Sequence, residues 1–536
     1  MLLSPALILA VLTASAPQTA PIPDGRALPT RPRNAIVILV DDWGMDMLEI
    51  YGTPDFEDIC LTRPPTPHID ALAQSGVTFL NAWVQPVCSP TRASLLTGRQ
   101  PFRHKLGRVV DQCNTPSCPP SDALNDQEFT IPEMLREAAL VGMIPPYGSA
   151  CIGKWHLGPD PLAPIIQGFD RFRGSQHNIG RADFPNETYC SWLKNTDGVL
   201  GMTQTYATTD SINEALTFIA DQGDDPYFLY LAMHAGHAPW HIPPAHLAPS
   251  YFLDDGNGGC FHAQEPNCPA QPSQCLPLVC PPTVCREACD LPLTEPILDQ
   301  VRAKRPYYEA MIEALDTEVG RLIAGVDLNR TIVFIMGDNG SPGSVTSPPF
   351  LGDRVLGLPP KSKGSVYQGG INVPFIVSGA GVRGSLPGRP QRTSKKMVHI
   401  VDVYATIADL FGIDATELDA ISPNPIDSQS FRHLLAGRRG LGRATLFAES
   451  FAPNFPSTTD PCVLTFARAL RNRSHKLIRS TNLFNCTGPP LEVLYDLRVD
   501  PLEVTDLMAS GAHLVPGVIR DNYLALAAEL DTIPLP

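Results

Sequence analysis

The sequence predicts an α/β protein built on a large mixed, mostly parallel sheet sandwiched by helices. A smaller C-terminal α+β domain containing an antiparallel sheet follows. Three observations carry this. Ala35–Val40, Tyr227–Met233, Ile332–Met336 and Val373–Val377 are continuous apolar runs, the pattern of strands buried on both faces. Amphipathic stretches such as Pro306–Ile323 lie between some of them, which implies crossover helices covering the sheet. Near Gly437 the pattern changes to short strand candidates separated by turns, namely Leu446–Glu449, Ala467–Arg471, Lys476–Arg479 and Val493–Asp496, and then a helix-like run, Val518–Leu530.

The 536 residues are 43% hydrophobic and 18% charged, enough for a large core and unlike a disordered chain. The formal net charge of -15, without a basic stripe, argues against a nucleic-acid partner. Residues 1–20 read as a signal peptide, an apolar run ending in small residues, although no Lys or Arg precedes it. No stable membrane span is expected, because no segment is long and apolar enough. The chain is expected to be secreted or periplasmic, and lysosomal or extracellular in a eukaryote. The catalytic domain is assigned to 34–435 and the C-terminal subdomain to 436–536.

Six of the 14 cysteines fall between residues 255 and 291, in a Cys-, Pro- and Gly-rich insertion with no C-x-x-C pair, so disulfides are expected there rather than zinc. Four N-x-S/T sequons, at Asn186, Asn329, Asn472 and Asn485, are near the number expected by chance.

Ligands of open α/β sheets bind beyond the carboxyl ends of the strands. Here one run ends in Asp41-Asp42, another in Gly337-Asp338-Asn339, a third in His234-Ala-Gly-His237, and a short run ending at Gly153 leads into Lys154-Trp155-His156. One polar strand end is an ordinary cap or turn. Four together predict a single site at one sheet edge.

The segment Cys88-Ser-Pro-Thr-Arg92-Ala-Ser-Leu-Leu-Thr-Gly98-Arg99 reads as a helix from after Pro90, with Cys88 at its positive end and Arg92 one turn along the same face. A nucleophile and a fixed cation so placed suit an anionic substrate. This segment resembles the signature of the type I, formylglycine-dependent sulfatases of the alkaline phosphatase superfamily, arylsulfatases among them. Further segments resemble that family in order: I-V-I-L-V-Asp41-Asp42, G-Lys154-W-His156-L-G, His237-A-P, G-Asp338-Asn339-G, Lys363-G-S, and Leu494-Tyr-Asp-Leu497 with Asp500-Pro-Leu-Glu503. The likeness runs over roughly residues 34–510.

The resemblance implies hydrolysis of aryl or carbohydrate sulfate monoesters to alcohol and sulfate. Cys88 would be converted to formylglycine by a maturation enzyme. One hydroxyl of the hydrated aldehyde attacks sulfur, and the second loses a proton as sulfate is expelled. His156 takes that proton, Arg92 and Lys154 hold the formylglycine, and His237 and Lys363 bind sulfate and protonate the leaving oxygen. Asp41, Asp42, Asp338 and Asn339 offer only oxygen ligands, with position 88 as a further one. That favours a hard cation, calcium or magnesium, over zinc, and the resemblance implies calcium.

Some assignments have competitors. Lys361 lies two residues from Lys363, and His234 and His241 flank His237; the K-G-S and H-x-P contexts favour Lys363 and His237. Gln368 and Asn372 stand where many relatives carry Glu and Arg, and a structural role is expected for them. Without Cys88, thirteen cysteines remain, and Cys151, in an apolar run, is expected to be a buried free thiol. The rival functions are a phosphonate monoester hydrolase or phosphodiesterase of the same superfamily, and a catalytically inactive secreted binding protein.

Overall fold

The computed structural model describes residues 31–52, 63–110, 122–180, 187–251, 296–351, 360–384, 391–438, 440–454, 465–481 and 489–536. The signal-peptide segment 1–20 and the cysteine-rich insertion 255–291 lie outside the described residues. Among the described residues no helix is long and apolar enough to cross a membrane.

Ten strands form the main sheet: β1 (Asn34–Val40), β2 (Val77–Trp83), β3 (Gly148–Lys154), β4 (Arg171–Ser175), β5 (Trp192–Thr196), β6 (Val199–Thr203), β7 (Tyr227–Ala232), β8 (Thr331–Gly337), β9 (Phe375–Gly379) and β10 (Thr393–His399). Their order is β10-β2-β9-β8-β1-β7-β3-β4-β5-β6. The central run β8-β1-β7-β3-β4 is parallel throughout, while β9 and β5 run against their neighbours. The expected mixed, mostly parallel sheet is thus present.

Both sheet faces are covered, and β1 shows how. Ala35, Val37 and Leu39 enter one apolar cluster with helices α2 (Cys88–Thr97), α3 (Ile131–Leu140) and α6 (Asp402–Phe411). Ile36, Ile38 and Val40 enter the opposite cluster with α1 (Pro67–Ser75), α4 (Ala207–Gln222) and α5 (Pro296–Ala324). All seven β1 residues are buried. This is why its sequence reads as an unbroken apolar run rather than an alternating one.

A second sheet, β11-β12-β13-β14 (Leu446–Ala452, Thr465–Arg471, His475–Ser480, Leu491–Asp496), is antiparallel and is followed by α7 (Val518–Thr532). One of its faces buries Leu446, Ala448 and Ile478 with Trp83, Ile371 and Met397 of the large-sheet region. The other buries Phe447, Leu470 and Leu494 with Leu526 and Leu530 of α7.

Three boundaries differ from the sequence reading. The strand expected at Val373–Val377 spans Phe375–Gly379, because Pro374 lacks the N–H a ladder needs. Helix α5 runs through Pro306 and begins ten residues before it. Helix α2 starts at Cys88 itself and not after Pro90. Proline is tolerated in a first turn, where the N–H groups have no intrahelical partner.

Candidate active site

The four polar strand ends converge. Val40 leads into Asp41-Asp42 and Gly337 into Asp338-Asn339 on neighbouring parallel strands, with Val40 paired to Gly337. Ligating atoms of Asp41, Asp42, Asp338 and Cys88 all lie within 4.8 Å of one another. The backbone is shaped for this. Asp42 takes φ +58°, a conformation uncommon outside glycine. Its amide donates to Asp338 Oδ1 at 3.0 Å, and its carbonyl accepts from Tyr308 Oη of α5 at 2.6 Å. β3 comes so close to β7 that a Cβ on Gly153 would sit 2.0 Å from the Ala232 carbonyl oxygen. With φ +96° as well, only glycine fits just before Lys154.

Three cations face the three carboxylates. Arg92 Nη2 donates to Asp338 Oδ2 at 2.7 Å, and its Nη1 to the Lys154 carbonyl at 2.8 Å. Lys154 Nζ donates to Asp41, and Lys363 Nζ to Asp42. Asn339 Nδ2 donates to Asp42 Oδ1 at 2.8 Å. His237 Nε2 lies 4.0 Å from Asp42 Oδ2, and its Nδ1 is 2.7 Å from the Ala238 carbonyl. Asp41, Arg92 and Lys154 side chains are fully buried, whereas His237 and Lys363 keep 20% and 18% of theirs exposed. Those two therefore mark the side from which a ligand enters.

The electrostatics fit a cation. Asp41 Oδ1 and Asn339 Oδ1 are buried with no hydrogen-bond partner, so two oxygen acceptors are left over in the cluster. Burial works against ionisation of Asp41, yet Lys154, His237 and Arg92 hold its carboxyl well below the usual range. Burial and then the charge of Asp41 push Asp338 the other way, above the carboxylate range and against the pull of Arg92. A divalent ion would relieve that conflict and use the spare oxygens. The donors are all carboxylate or amide oxygens, the set a hard cation takes.

The Cys88 thiol sits in the first turn of α2, whose ten residues are all buried. Burial pushes it up to about 12, although Lys154 and Lys363 pull it down, so the encoded thiol stays protonated near neutrality. His156 takes φ +56°, and its Nδ1 is buried without a partner. Burial, Lys154 and Arg92 hold its pKa well below the ordinary imidazole value, so its ring is neutral.

The competitors separate. Lys361 Nζ donates away from the site, to the carbonyls of Glu503 and Leu502. His241 pairs with Tyr206 Oη at 3.1 Å, and His234 is buried behind His237 with both ring nitrogens unpartnered. Gln368 and Asn372 have structural contacts: Trp83 Nε1 donates to Gln368 Oε1 at 2.9 Å, and the Ala82 amide to Asn372 Oδ1 at 3.0 Å. Both fasten β2 to the segment after Lys363. Cys151 is a free, buried cysteine, as expected; Cys190 is disulfide-bonded.

Several supporting residues are not evident in the sequence. Tyr189 Oη donates to the carbonyls of both His234 and His237, at 2.6 and 2.7 Å, and so fixes their turn. Ser341 accepts the Lys363 amide on its carbonyl at 3.1 Å, and the Pro86 carbonyl accepts the Gly364 amide at 2.8 Å. Tyr308 acts through Asp42, as described above. None lies in a motif, and each works from an element distant in sequence. Only the Asp500-Pro-Leu-Glu503 segment gives a signal for Glu503, whose carboxylate takes Lys476 at 2.6 Å and the Gln368 amide at 2.6 Å.

A doubly covered α/β sheet with a buried oxygen-ligand cluster and three fixed cations beyond its strand ends is the arrangement expected from the resemblance to the alkaline phosphatase superfamily. Within it, this chain belongs to the sulfatase family, whose profile, Sulfatase, matches residues 33–413. It is 34% identical over 239 residues to the N-acetylgalactosamine-6-sulfatase of Canis lupus familiaris, which covers 40% of this chain. The match spans 42% of that relative's length. It is 25% identical over 556 residues to human arylsulfatase A, covering 94% of this chain and 89% of that protein. A solved structure in complex with its substrate D-glucosamine-2-N,6-O-disulfate superposes with a TM-score of 0.64 at 19% identity, covering 94% of this chain and 98% of that one. At that identity the superposition establishes the fold.

Proposed function

We propose that this chain hydrolyses carbohydrate sulfate monoesters to alcohol and sulfate, using formylglycine made from Cys88 and a calcium ion held by Asp41, Asp42, Asp338 and Asn339. The observation that carries the reading is the convergence of those four residues, Cys88 and three fixed cations in one buried cluster. The encoded thiol at position 88, held protonated by burial, stands where the aldehyde hydrate would be. When present, the aldehyde hydrate supplies an oxygen nucleophile and the cation supplies Lewis acidity toward a sulfate oxygen.

The chain's own residues do the rest. Arg92 and Lys154 are buried and orient position 88. Lys363 and His237, on the open side, bind the sulfate oxygens and give a proton to the departing alcohol oxygen. His156, neutral and with a buried ring nitrogen that has no partner, takes the proton released at position 88. Helix α2 adds its positive end beneath the anion. A carbohydrate sulfate is supported by the name of one relative, an N-acetylgalactosamine-6-sulfatase, while arylsulfatase A, which covers more of the chain, keeps aryl sulfate as the second reading. Export to an oxidising compartment agrees with the leader-like N-terminus and with the disulfide at Cys190.

The test has two parts. Mass spectrometry of the Cys88 peptide, from protein made with a maturation enzyme, should show the aldehyde. The same preparation should turn over nitrophenyl sulfate faster than a nitrophenyl phosphonate. A phosphonate preference would make this chain the phosphonate hydrolase instead. No turnover of either substrate by aldehyde-bearing protein would leave the inactive binding protein as the reading.

A further inference from the structure

A second cationic surface lies at the opposite end of the main sheet. Arg31 precedes β1, Gly381 follows the antiparallel β9, and Arg392 precedes β10, so all three sit where the parallel strands begin. The candidate active site lies where those strands end. Seven residues at about 3.3 Å each put the two roughly 20 Å apart.

Two cavities adjoin here. One, of about 170 Å³, is lined by Arg31, Arg432, His433 and Arg438 among others. The second, of about 580 Å³, is lined by Arg392, Lys396 and again Arg438, with Thr393, Ser394, Gly437 and Gly440. Because Arg438 borders both, they form one groove.

The groove's charge is unbalanced. Arg432 holds Asp409 at 2.8 Å, and Asp409 is the only carboxylate among the described residues that line either cavity. Among the described residues, Arg31, Lys396 and Arg438 hold no carboxylate. Arg392 gives its donors to the backbone carbonyls of Arg383, Leu434 and Leu435. Three cations with no carboxylate partner among the described residues, Arg31, Lys396 and Arg438, thus border this groove on a chain whose net charge is -15. Guanidinium groups match tetrahedral oxyanions in charge and geometry.

Among the described residues no Phe, Tyr or Trp lines either cavity, and the one ring there, His433, is bonded to the Leu441 carbonyl, so the groove offers little of the stacking platform that single-stranded nucleic acid uses. Thr393 and Ser394 offer hydroxyls, which suits a hydroxyl-rich polymer. We infer that this groove binds a sulfated glycan chain and anchors it to the enzyme away from the catalytic centre. The inference rests on the sulfatase reading for the identity of the polyanion.

The test compares the full-length matured protein with the triple variant Arg31→Ser, Lys396→Ser, Arg438→Ser on immobilised heparin. The parent should be retained and eluted by salt, and the variant should bind at least about tenfold more weakly, because exposed ionic contacts are lost. Turnover of nitrophenyl sulfate should be the same in both, which also shows that the variant is folded. The single variant Arg438→Ala should give a smaller shift in the same direction. Equal retention of parent and triple variant would overturn the proposal. So would equal retention of the parent on desulfated heparin, or competition by a single-stranded oligonucleotide as strong as by sulfated oligosaccharide. Failure of the matured parent to hydrolyse nitrophenyl sulfate would instead strike the catalytic reading and would be seen independently of retention.

Discussion

Arg92 Nη2 meets Asp338 Oδ2 at 2.7 Å with both side chains fully buried, and the same guanidinium lies 3.8 Å from Asp41 Oδ2. One cation thus ties together the helix that carries Cys88 and two of the carboxylates. Removing one member of a fully buried pair leaves the other uncompensated, at a cost of about 3 kcal/mol or more. Asp338→Ala is expected to lower the melting temperature clearly and to abolish sulfate ester turnover. A variant that melts with the parent would show that Arg92 is neutralised by another group.

Chelation tests the cation. Asp41 Oδ1 and Asn339 Oδ1 are buried acceptors without partners, and Asp338 resists ionisation beside Asp41. Added calcium should therefore raise the melting temperature of chelator-treated protein, by about 2.7 kcal/mol of stabilisation at a hundredfold excess over the dissociation constant. Activity should return with it. Rescue by zinc alone would mean that the oxygen-donor argument has chosen the wrong metal.

The central strands and the site residues were legible for the same reason. Strands β1, β7 and β8 are buried on both faces, so their apolar runs are unbroken, and each ends abruptly in polar residues that are buried too. Lys363 could be preferred over Lys361 only by context, and the structure separates them by direction. Strand β2 was not evident, because Asn81 and Thr78 interrupt its apolar run. The excursion β4-β5-β6 carries an exposed outer strand, Val199–Thr203, whose apolar residues are too few and too irregularly spaced to mark it. Tyr189, Tyr308 and Ser341 were beyond reach in principle. Each serves the site through isolated hydrogen bonds to groups far away in sequence, and such contacts leave no periodicity.

The buried histidines predict an acid-sensitive fold. His104 is pushed down to about 3 by burial and Arg99, and its Nδ1 accepts the Leu106 amide at 3.3 Å. Its folded pKa lies below the unfolded value near 6.5, so the unfolded chain binds the proton more tightly. The stability this group contributes is present in full above 6.5 and is lost as pH falls from there toward 3. Thermal melts between pH 4.5 and 7.5 should show a decline below about 6.5. His104→Gln should flatten it, and an unchanged slope in that variant would remove His104 as a cause.

The two neighbouring lysines give opposite predictions. Lys363 Nζ pairs with Asp42 inside the site, and its backbone is held by Ser341 and, one residue on, by Pro86 beside Cys88. Gly364, at φ +89°, makes the turn that permits both contacts. Lys361 instead donates to the carbonyls of Leu502 and Glu503, while the Glu503 side chain holds the buried Lys476 and the Gln368 amide. Lys361 therefore anchors the loop to the segment that follows the C-terminal sheet, and Lys363 is the lysine placed in the candidate site. Lys363→Met should lower kcat/KM by about a hundredfold or more, the usual loss for a fixed charge acting on the transition state, with little change in melting temperature. Lys361→Met should lower stability by roughly 1.5–3 kcal/mol for its charged hydrogen bonds, with a much smaller effect on kcat. Glu503→Gln should destabilise further, by about 3 kcal/mol, because Lys476 is then buried without its carboxylate. If Lys361→Met were the catalytically dead variant and Lys363→Met merely unstable, the sulfate-binding role would pass to Lys361. The loop would then have to rearrange on binding, so that the link to Glu503 would be broken in the working enzyme.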